Sequence, residues 1–309
     1  MPGTVTSVGT EVGFDLEIRI QFERGSADPS RIFQSMARTI DAIGSLEASL
    51  AGAVATNLQP VLVLQDVRAQ SLVAIVRTII DFVDGESSVD PGWLGPAGRY
   101  LERAVTVVLR FLADRETVES VEEAVALQDE LADIAQEEGA VIPLQSARVP
   151  LPNLLSSLRD IGTANRELHP QDEIVVSAGE ARIPLNKQFH LPAERVEQLL
   201  TTETLLHEGV HRLDVKKPDY LGSSMWQFRL DDRVIDAKIL DTLWVHKFQH
   251  GRIELRPGDA LLAEMLFEAR MGANGEHLST HYYVARILDI LHDSPDDQTR
   301  LPFTGSDDA

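Results

Sequence analysis

Alternation of apolar and polar residues near the start of the chain is the feature that most constrains its fold. The apolar members occupy every second position: Phe14, Leu16, Ile18, Ile20 and Phe22. A period of two is typical of a strand with one buried face. Asp28 and Pro29 then favour a helix that runs to about Leu50. Pro60 introduces the apolar run 61–64, typical of a strand covered on both faces. These elements predict a β-α-β module.

The middle of the chain is predicted to be helical. Apolar residues recur at helical spacing over 72–82, 100–112, 118–134 and 154–168. Stripes of this kind usually face a core or an interface. We therefore expect the central helices to mediate binding to a protein partner or self-association.

Short alternating segments return in the C-terminal part. The predicted strands span residues 226–230, 235–239, 253–255, 261–271 and 280–291. The sequence Gly272-Ala273-Asn274-Gly275 is a hairpin signal between the last two of them. Several short strands at this spacing predict a small antiparallel β-barrel.

The predicted fold class is α+β, with an N-terminal α/β module, central helices and a C-terminal small antiparallel β-barrel. A chain of 309 residues is long enough for two domains. The predicted segments are a small α/β module at 1–84, a helical segment at 85–171, a barrel domain at 172–295 and a polar tail at 296–309.

The stretch His207-Glu208-Gly209-Val210-His211 spells a known chemical motif. On a helix, the HExxH pattern places two histidines on one face as zinc ligands, and the glutamate serves as general base for the bound water. The Cβ atoms are then roughly 6 Å apart, and both imidazoles reach one ion at about 2 Å. On a strand the same spacing separates them by about 13 Å. The choice between helix and strand therefore decides the chemistry.

The sequence around the motif bears on this choice in both directions. The stretch 193–200 is a good helix former and favours a helix. Thr201, Thr202 and Thr204 are β-branched and favour a strand, and Gly209 costs about 1 kcal/mol inside a helix. The backbone conformation of residues 203–215 is left open at this point.

A third zinc ligand is not found where zinc-peptidase patterns place it. Asp214 and Lys217 stand where one such pattern has glycine and histidine. The same histidine spacing also recurs downstream, in the pairs His246 and His250, and His277 and His281. Exposed histidines on strands and loops explain these pairs, and the spacing alone does not indicate a metal site.

The chain carries a formal net charge of −21 and no cysteine. A negative field of this size repels nucleic-acid phosphates, so nucleic-acid binding is not expected. The lack of cysteine excludes disulfides and thiolate zinc sites, and it fits a cytoplasmic location. The longest apolar run, 72–83, is interrupted by Arg77 and Asp81 and is too short to span a bilayer. No membrane partner is therefore expected.

Two parts of the chain resemble modules that are paired in uncharacterised prokaryotic proteins. Residues 14–83 are similar to a small α/β module of unknown function, through the segments 15–20, 28–33 and 61–67. Residues 203–291 are similar to a β-barrel module that often follows it, through 209–214, 226–228, 235–239 and 282–288. The resemblance implies that the HEGVH motif lies on the first barrel strand with its histidines incidental. It implies no established activity and no catalytic residues.

We therefore predict a non-enzymatic binding, adaptor or sensor component of a prokaryotic multi-protein system. The prediction rests on the acidic surface, the paired modules and the lack of a coherent active site. The resemblance implies work beside an effector, with phage defence as one setting. In this interpretation no residue is assigned to catalysis, metal binding or cofactor binding. The alternative is a zinc-dependent metallopeptidase in which His207 and His211 bind zinc and Glu208 is the general base.

Overall fold

The computed structural model describes residues 12–23, 28–68, 72–82, 91–141 and 147–292. Contacts divide the chain into two compact units, Met1–Leu200 and Thr201–Ala309. The predicted α+β class is confirmed, because helices and strands are both abundant and a closed barrel forms in the second unit. The predicted polar tail, 296–309, lies outside the described residues.

The first unit combines one sheet with several helices. Its described elements are β1 (Gly13–Gln21), α1 (Ser30–Val54), β2 (Leu58–Arg68), β3 (Leu72–Phe82), a 3-10 turn (Pro91–Trp93), α2 (Leu94–Ala113), α3 (Val121–Glu137), α4 (Leu151–Asn165), β4 (Glu173–Ala178), β5 (Ala181–Pro184) and α5 (Ala193–Leu200). The strand order is β2-β3-β1-β4-β5, and all neighbouring pairs are antiparallel. β1 and β2 run in the same direction, because each is antiparallel to β3 between them. The predicted β-α-β unit is therefore present as β1, α1 and β2, with β3 lying between the two strands in the sheet.

The alternation in β1 separates a buried face from an open one. Leu16, Ile18 and Ile20 are fully buried in the core. Glu17 and Arg19, on the other face, form an ion pair at 2.7 Å. The predicted half-buried strand is confirmed, and its apolar face is where the helices pack.

Residues Leu72–Phe82 form strand β3, so the helix predicted over them is wrong. The segment is rich in β-branched side chains, which favour strands over helices. Val73 and Val76 point to opposite faces of the sheet, yet both are almost completely buried. Burial on both faces removes the alternation that would have indicated a strand.

Residues 61–64 lie in β2, an edge strand, and their exposed side chains show that the strand predicted to be covered on both faces is wrong in that respect. Val61 is 46% exposed and Leu64 is 57% exposed. A continuous apolar run predicts a strand but does not show whether other strands flank it, because pairing is decided by distant parts of the chain.

The apolar stripes of the central helices line the core of the first unit. Tyr100 and Leu109 on α2, Leu131 on α3 and Leu158 on α4 are completely buried. These side chains are used in packing within the unit and are not available to a partner. The stripes therefore explain the stability of the unit and do not indicate a docking surface.

The first unit continues past the boundary predicted at residues 171 and 172. β4 pairs with β1 and β5 pairs with β4, so both strands complete this sheet and do not belong to the barrel. The fully buried carboxylate of Asp172 forms an ion pair with Arg31 of α1 at 3.0 Å. The predicted limits at 84, 171 and 172 thus do not coincide with the two units, because long-range strand pairing joins residues 173–184 to the N-terminal module.

The second unit is built around a five-stranded closed barrel. Its described elements are β6 (Glu203–Lys217), β7 (Trp226–Leu230), β8 (Arg233–Ile239), α6 (Thr242–Gln249), β9 (Ala260–Met271) and β10 (His277–Leu291), and the barrel order is β10-β8-β7-β6-β9. The predicted barrel is confirmed, but it is not antiparallel throughout, because β8 and β10 pair in parallel.

One predicted strand is absent and one helix was not predicted in this unit. Residues 253–255 lie in a loop, so the strand predicted there is wrong. Thr242–Gln249 forms α6, whose first turn is capped by the Asp241 side chain accepting a hydrogen bond from the Trp244 N–H at 3.1 Å. The barrel interior is filled by fully buried side chains, among them Leu213, Phe228, Ala237, Leu261 and Val284.

Candidate functional site

Three strands of the barrel continue beyond the point where it closes. β6 pairs with β9 from Glu203 to Asp214, whereas β7 pairs with β6 only from Asp214 onward. β8 pairs with β10 only at Tyr282–Val284. We call residues 203–211 of β6, 263–271 of β9 and 277–281 of β10 the sheet extension. Side chains on both of its faces reach solvent.

The HEGVH motif lies in this extension, on β6. Residues 203–217 form one strand, which resolves the conformation left open by the sequence. His207 and His211 lie on the same face, and strand geometry separates positions four residues apart by about 13 Å. Glu208, between them, projects to the opposite face. The chain therefore does not bring these three side chains together at one metal ion.

Phe267 of β9 occupies the space between the two imidazoles. Its ring centroid lies 5.9 Å from that of His207 and 5.1 Å from that of His211. The ring of Tyr282 on β10 packs against Phe267 at 5.6 Å. Both histidines thus belong to an aromatic cluster on the inner face of the extension, the face that continues into the barrel interior.

The remaining histidine pairs also lack the arrangement of a metal site. His246 and His250 stack at the end of α6 with ring centroids 4.0 Å apart, and His250 Nδ1 lies 2.8 Å from the carbonyl oxygen of His246. His277 contacts Thr280 through Nε2 at 2.8 Å. Within the described ranges, no group of three or more histidine, aspartate and glutamate side chains is arranged to hold a metal ion.

The outer face of the extension exposes large apolar side chains. Leu206 is 64% exposed and Val210 is 56% exposed, both on β6. Val210 borders a hollow of about 470 Å³ that is also lined by Leu266 and by the carboxylates Glu208 and Glu264. An exposed apolar patch beside charged groups is typical of a protein-binding surface.

The two carboxylates at the hollow differ from other charged groups nearby. Glu268 is held by Arg270 at 2.7 Å, which neutralises its charge locally. Glu208 and Glu264 form no ion pair within the described part of the chain. Arg286 of β10 lies directly opposite Glu264 in the strand register, and the hollow combines apolar contact surface with two carboxylates in a chain of net charge −21.

A larger cleft in the first unit is already occupied by internal ion pairs. It measures about 670 Å³ and lies along α2 and α3. Arg99 and Arg103 of α2 both bind Glu138, at 2.8 and 2.6 Å. Since these pairs satisfy the strongest charges in the cleft, it is a weaker candidate for ligand binding than the sheet extension.

A loop beside α6 forms another ordered polar structure. The Asp219 carboxylate accepts hydrogen bonds from the Ser224 hydroxyl and from the backbone N–H groups of Leu221, Gly222 and Ser224. These bonds, that of the Ser224 hydroxyl first, hold the pKa of Asp219 well below its usual range. The arrangement shapes the loop from within and leaves the carboxylate occupied.

Comparison with protein-family models, with curated protein sequences and with solved structures finds no match to this chain. None of the helices in the described ranges combines the length and the apolar character that a membrane-crossing segment needs.

The sequence pointed to β6 but not to the surface around it. Leu266, Glu264 and Phe267 come from β9, and their contacts with β6 depend on the pairing of distant strands. One signal for the outer face was present. Leu262 and Leu266 occupy outward positions of β9, where a solvated barrel strand would carry polar residues.

Proposed function

We propose that this protein is a non-enzymatic binding component that engages a partner protein through the outer face of the sheet extension. The observation that carries the proposal is the exposure of Leu206 and Val210 beside the carboxylates Glu208 and Glu264, which form no ion pair with any described residue. The setting we propose is a prokaryotic multi-protein system, for example one in phage defence. This setting follows from the resemblance of two parts of the chain to modules that are paired in prokaryotic proteins.

The chemistry of this face favours a particular class of partner segment. The side chains of Leu206 and Val210 suit an apolar contact. Burying a side chain of this size contributes about 1.5–3 kcal/mol to the binding free energy. The carboxylates suit lysine or arginine, and the net charge of −21 attracts a basic segment from a distance. An extended segment that carries apolar, basic and apolar residues at positions i, i+2 and i+4, all on one face, would satisfy both.

The geometry gives no support to the zinc-peptidase alternative. A zinc-bound water must lie close to both the metal ligands and the general base. His207 and His211 face the Phe267 ring, and Glu208 projects to the opposite side of the strand. Removal of Glu208 is therefore expected to affect binding rather than a chemical step.

An array of short synthetic peptides of varied composition tests the proposal. We expect the protein to retain peptides in which Lys or Arg and apolar residues share one face, two positions apart, and retention should fall as salt is raised. The double variant Glu208→Gln/Glu264→Gln should bind these peptides about tenfold more weakly, since each exposed charge contact contributes up to about 1 kcal/mol.

Glu254→Gln is the control, because it makes the same kind of substitution in the same unit at an exposed carboxylate already bonded to Arg256 at 2.9 Å. It should leave peptide retention unchanged. Equal loss in the control and in the double variant would refute a role for the outer face. Near-stoichiometric zinc in tag-free protein, lost in His211→Ala, would support the peptidase instead.

A further inference from the structure

We propose that a second copy of this chain binds to the free edge of β6, so that two β6 strands pair antiparallel across a two-fold axis. This inference goes beyond the proposed function. It concerns the backbone edge of β6 and the apolar side chains beside that edge, whereas the proposed function concerns peptide binding at the outer face, and the two are tested by different measurements.

The edge of β6 is long and regular. From Glu203 to Asp214 the strand pairs with β9 in unbroken register. On its other side, within the described residues, β7 begins to pair only at Asp214. Residues 203–213 therefore present a row of backbone N–H and C=O groups, and such a row is a template for the addition of another strand.

Other sheet edges of the chain are protected in ways that this one is not. On β2, Pro60 removes a backbone N–H, a bulge interrupts the register between Leu64 and Asp66, and Asp66 and Arg68 form an ion pair at 2.9 Å. β5 is protected by its length of only 4 residues. Residues 203–211 contain neither proline nor lysine.

Side chains beside the edge are suited to being covered by another strand. Leu205 is 50% exposed on the inner face, and Leu206 and Val210 are more exposed on the outer face. Partner surfaces that cover one face would leave the other in water. A strand paired at the edge contacts both faces at once, and a second copy supplies the same apolar side chains in return.

Symmetry and charge select one register. In an antiparallel pair, opposite residues share a face, so the two-fold axis passes through a residue that pairs with itself. An axis at Glu208 would oppose two carboxylates, which is destabilising. With an axis at Gly209, the strand of the second copy would extend along β6 as far as Asp214, where β7 is already paired. His207 is the position that gives the longest remaining overlap, from Glu203 to His211.

This register is complementary at its outer pairs. It places Glu203 opposite His211 and Thr204 opposite Val210. The first is a pair of a carboxylate with a basic side chain, and the second joins two β-branched residues, which are favourable neighbours across strands. Leu205 lies opposite Gly209, where the imidazole of His211 covers the position that a Cβ atom would take. The two-fold axis doubles each contact.

The cysteine-free sequence permits a direct test. His207→Cys introduces a single thiol at the position of the axis. Residues directly opposite in an antiparallel pair have Cα atoms about 4.5–5.5 Å apart, within the range for a disulfide. We expect His207→Cys to form a covalent dimer under mild oxidation, or with a short thiol-to-thiol reagent, at micromolar concentration. Reduction should reverse the disulfide.

Leu205→Cys is the matched control on the same face of the same strand. In the proposed register its two thiols are offset by four residues, about 13 Å along the strand, so it should remain largely uncross-linked. Cross-linking at both positions to the same extent would contradict the register. The wild-type protein, measured by sedimentation, should have the mass of a dimer, and this measurement does not depend on any variant.

A wild-type protein that sediments as a monomer at the same concentration would overturn the proposal. A dimer in which His207→Cys does not cross-link would overturn it as well, because the second copy would then bind elsewhere. Neither result bears on peptide binding by the outer face, which is measured with Glu208→Gln/Glu264→Gln. The two proposals therefore fail independently.

Discussion

Glu47 is the residue at which burial and charge conflict most directly. It lies on α1 with no exposed surface, and the Thr78 hydroxyl donates a hydrogen bond to one of its carboxyl oxygens at 2.9 Å. The other oxygen has no hydrogen-bond partner among the described residues. Burial raises the pKa of Glu47 to about 8, with the Thr78 bond acting in the opposite direction. The carboxyl is therefore protonated in the folded protein at neutral pH.

Because of Glu47, the free energy of unfolding is expected to fall as the pH rises from 4.5 to about 8. At acid pH the carboxyl is protonated in both the folded and the unfolded state. Between its ordinary value of 4.5 and about 8, the folded state holds a proton that the unfolded state has released. The contribution of the neutral form is thus lost as pH rises, by a few kcal/mol at roughly 1.4 kcal/mol per pKa unit.

Glu47→Gln should remove this dependence, because an amide keeps the shape and does not titrate. The variant should be similar to wild type in free energy of unfolding near pH 4.5 and more stable by a few kcal/mol above pH 8. Urea denaturation at several pH values measures the difference. Asp41→Asn, on the exposed side of the same helix, is the control, and a pH profile changed equally by both variants would refute the assignment.

At the scale of the element, the hairpin between β7 and β8 is under backbone strain. Leu230 and Arg233 pair directly, so Asp231 and Asp232 alone form the turn. Their φ angles are 45° and 65°, in the left-handed region that glycine occupies most easily. Two such residues in succession are the mark of a type I′ turn, whose second position favours glycine.

Asp232→Gly is therefore expected to raise the free energy of unfolding by about 0.5 kcal/mol, since relief of the left-handed conformation exceeds the entropic cost of glycine. Asp232→Ala removes the same negative charge but keeps a Cβ atom, so it should be neutral or destabilising. Thermal unfolding of both variants separates conformation from charge. If both stabilise equally, charge repulsion and not backbone strain dominates the turn.

The elements that the sequence predicted correctly are those with a local signal. β1, which alternates cleanly, is one of them, whereas for β6 the sequence left helix and strand open, although the threonines before the HEGVH motif favoured the strand that forms. β3 was mistaken for a helix because its apolar residues fill both faces of a central strand. The open edge of β6 carried no signal, because it exists only where β7 begins to pair at Asp214. The sequence therefore left the conformation of the candidate site open and did not predict its surface.

At the scale of the whole molecule, each unit has its own hydrophobic core. The core of the first unit draws on residues from Phe14 to Leu199, and that of the second on residues from Leu213 to Val284. Both clusters are made of side chains with almost no exposed surface. Two separate cores predict two units that fold as independent cooperative blocks.

Fragments of the chain test this division and the position of its boundary. A fragment of residues 1–200 should fold cooperatively, whereas one of residues 1–171 should not. The shorter fragment lacks the buried side chains Ile174, Val176, Ile183, Phe189 and Leu191. At about 2 kcal/mol each, their loss amounts to roughly 10 kcal/mol, which equals the total stability of a typical domain. It also leaves Arg31 without Asp172 and exposes the edge of β1. Circular dichroism during thermal unfolding measures the outcome, and a cooperative transition in the 1–171 fragment would show that β4 and β5 are dispensable to the sheet.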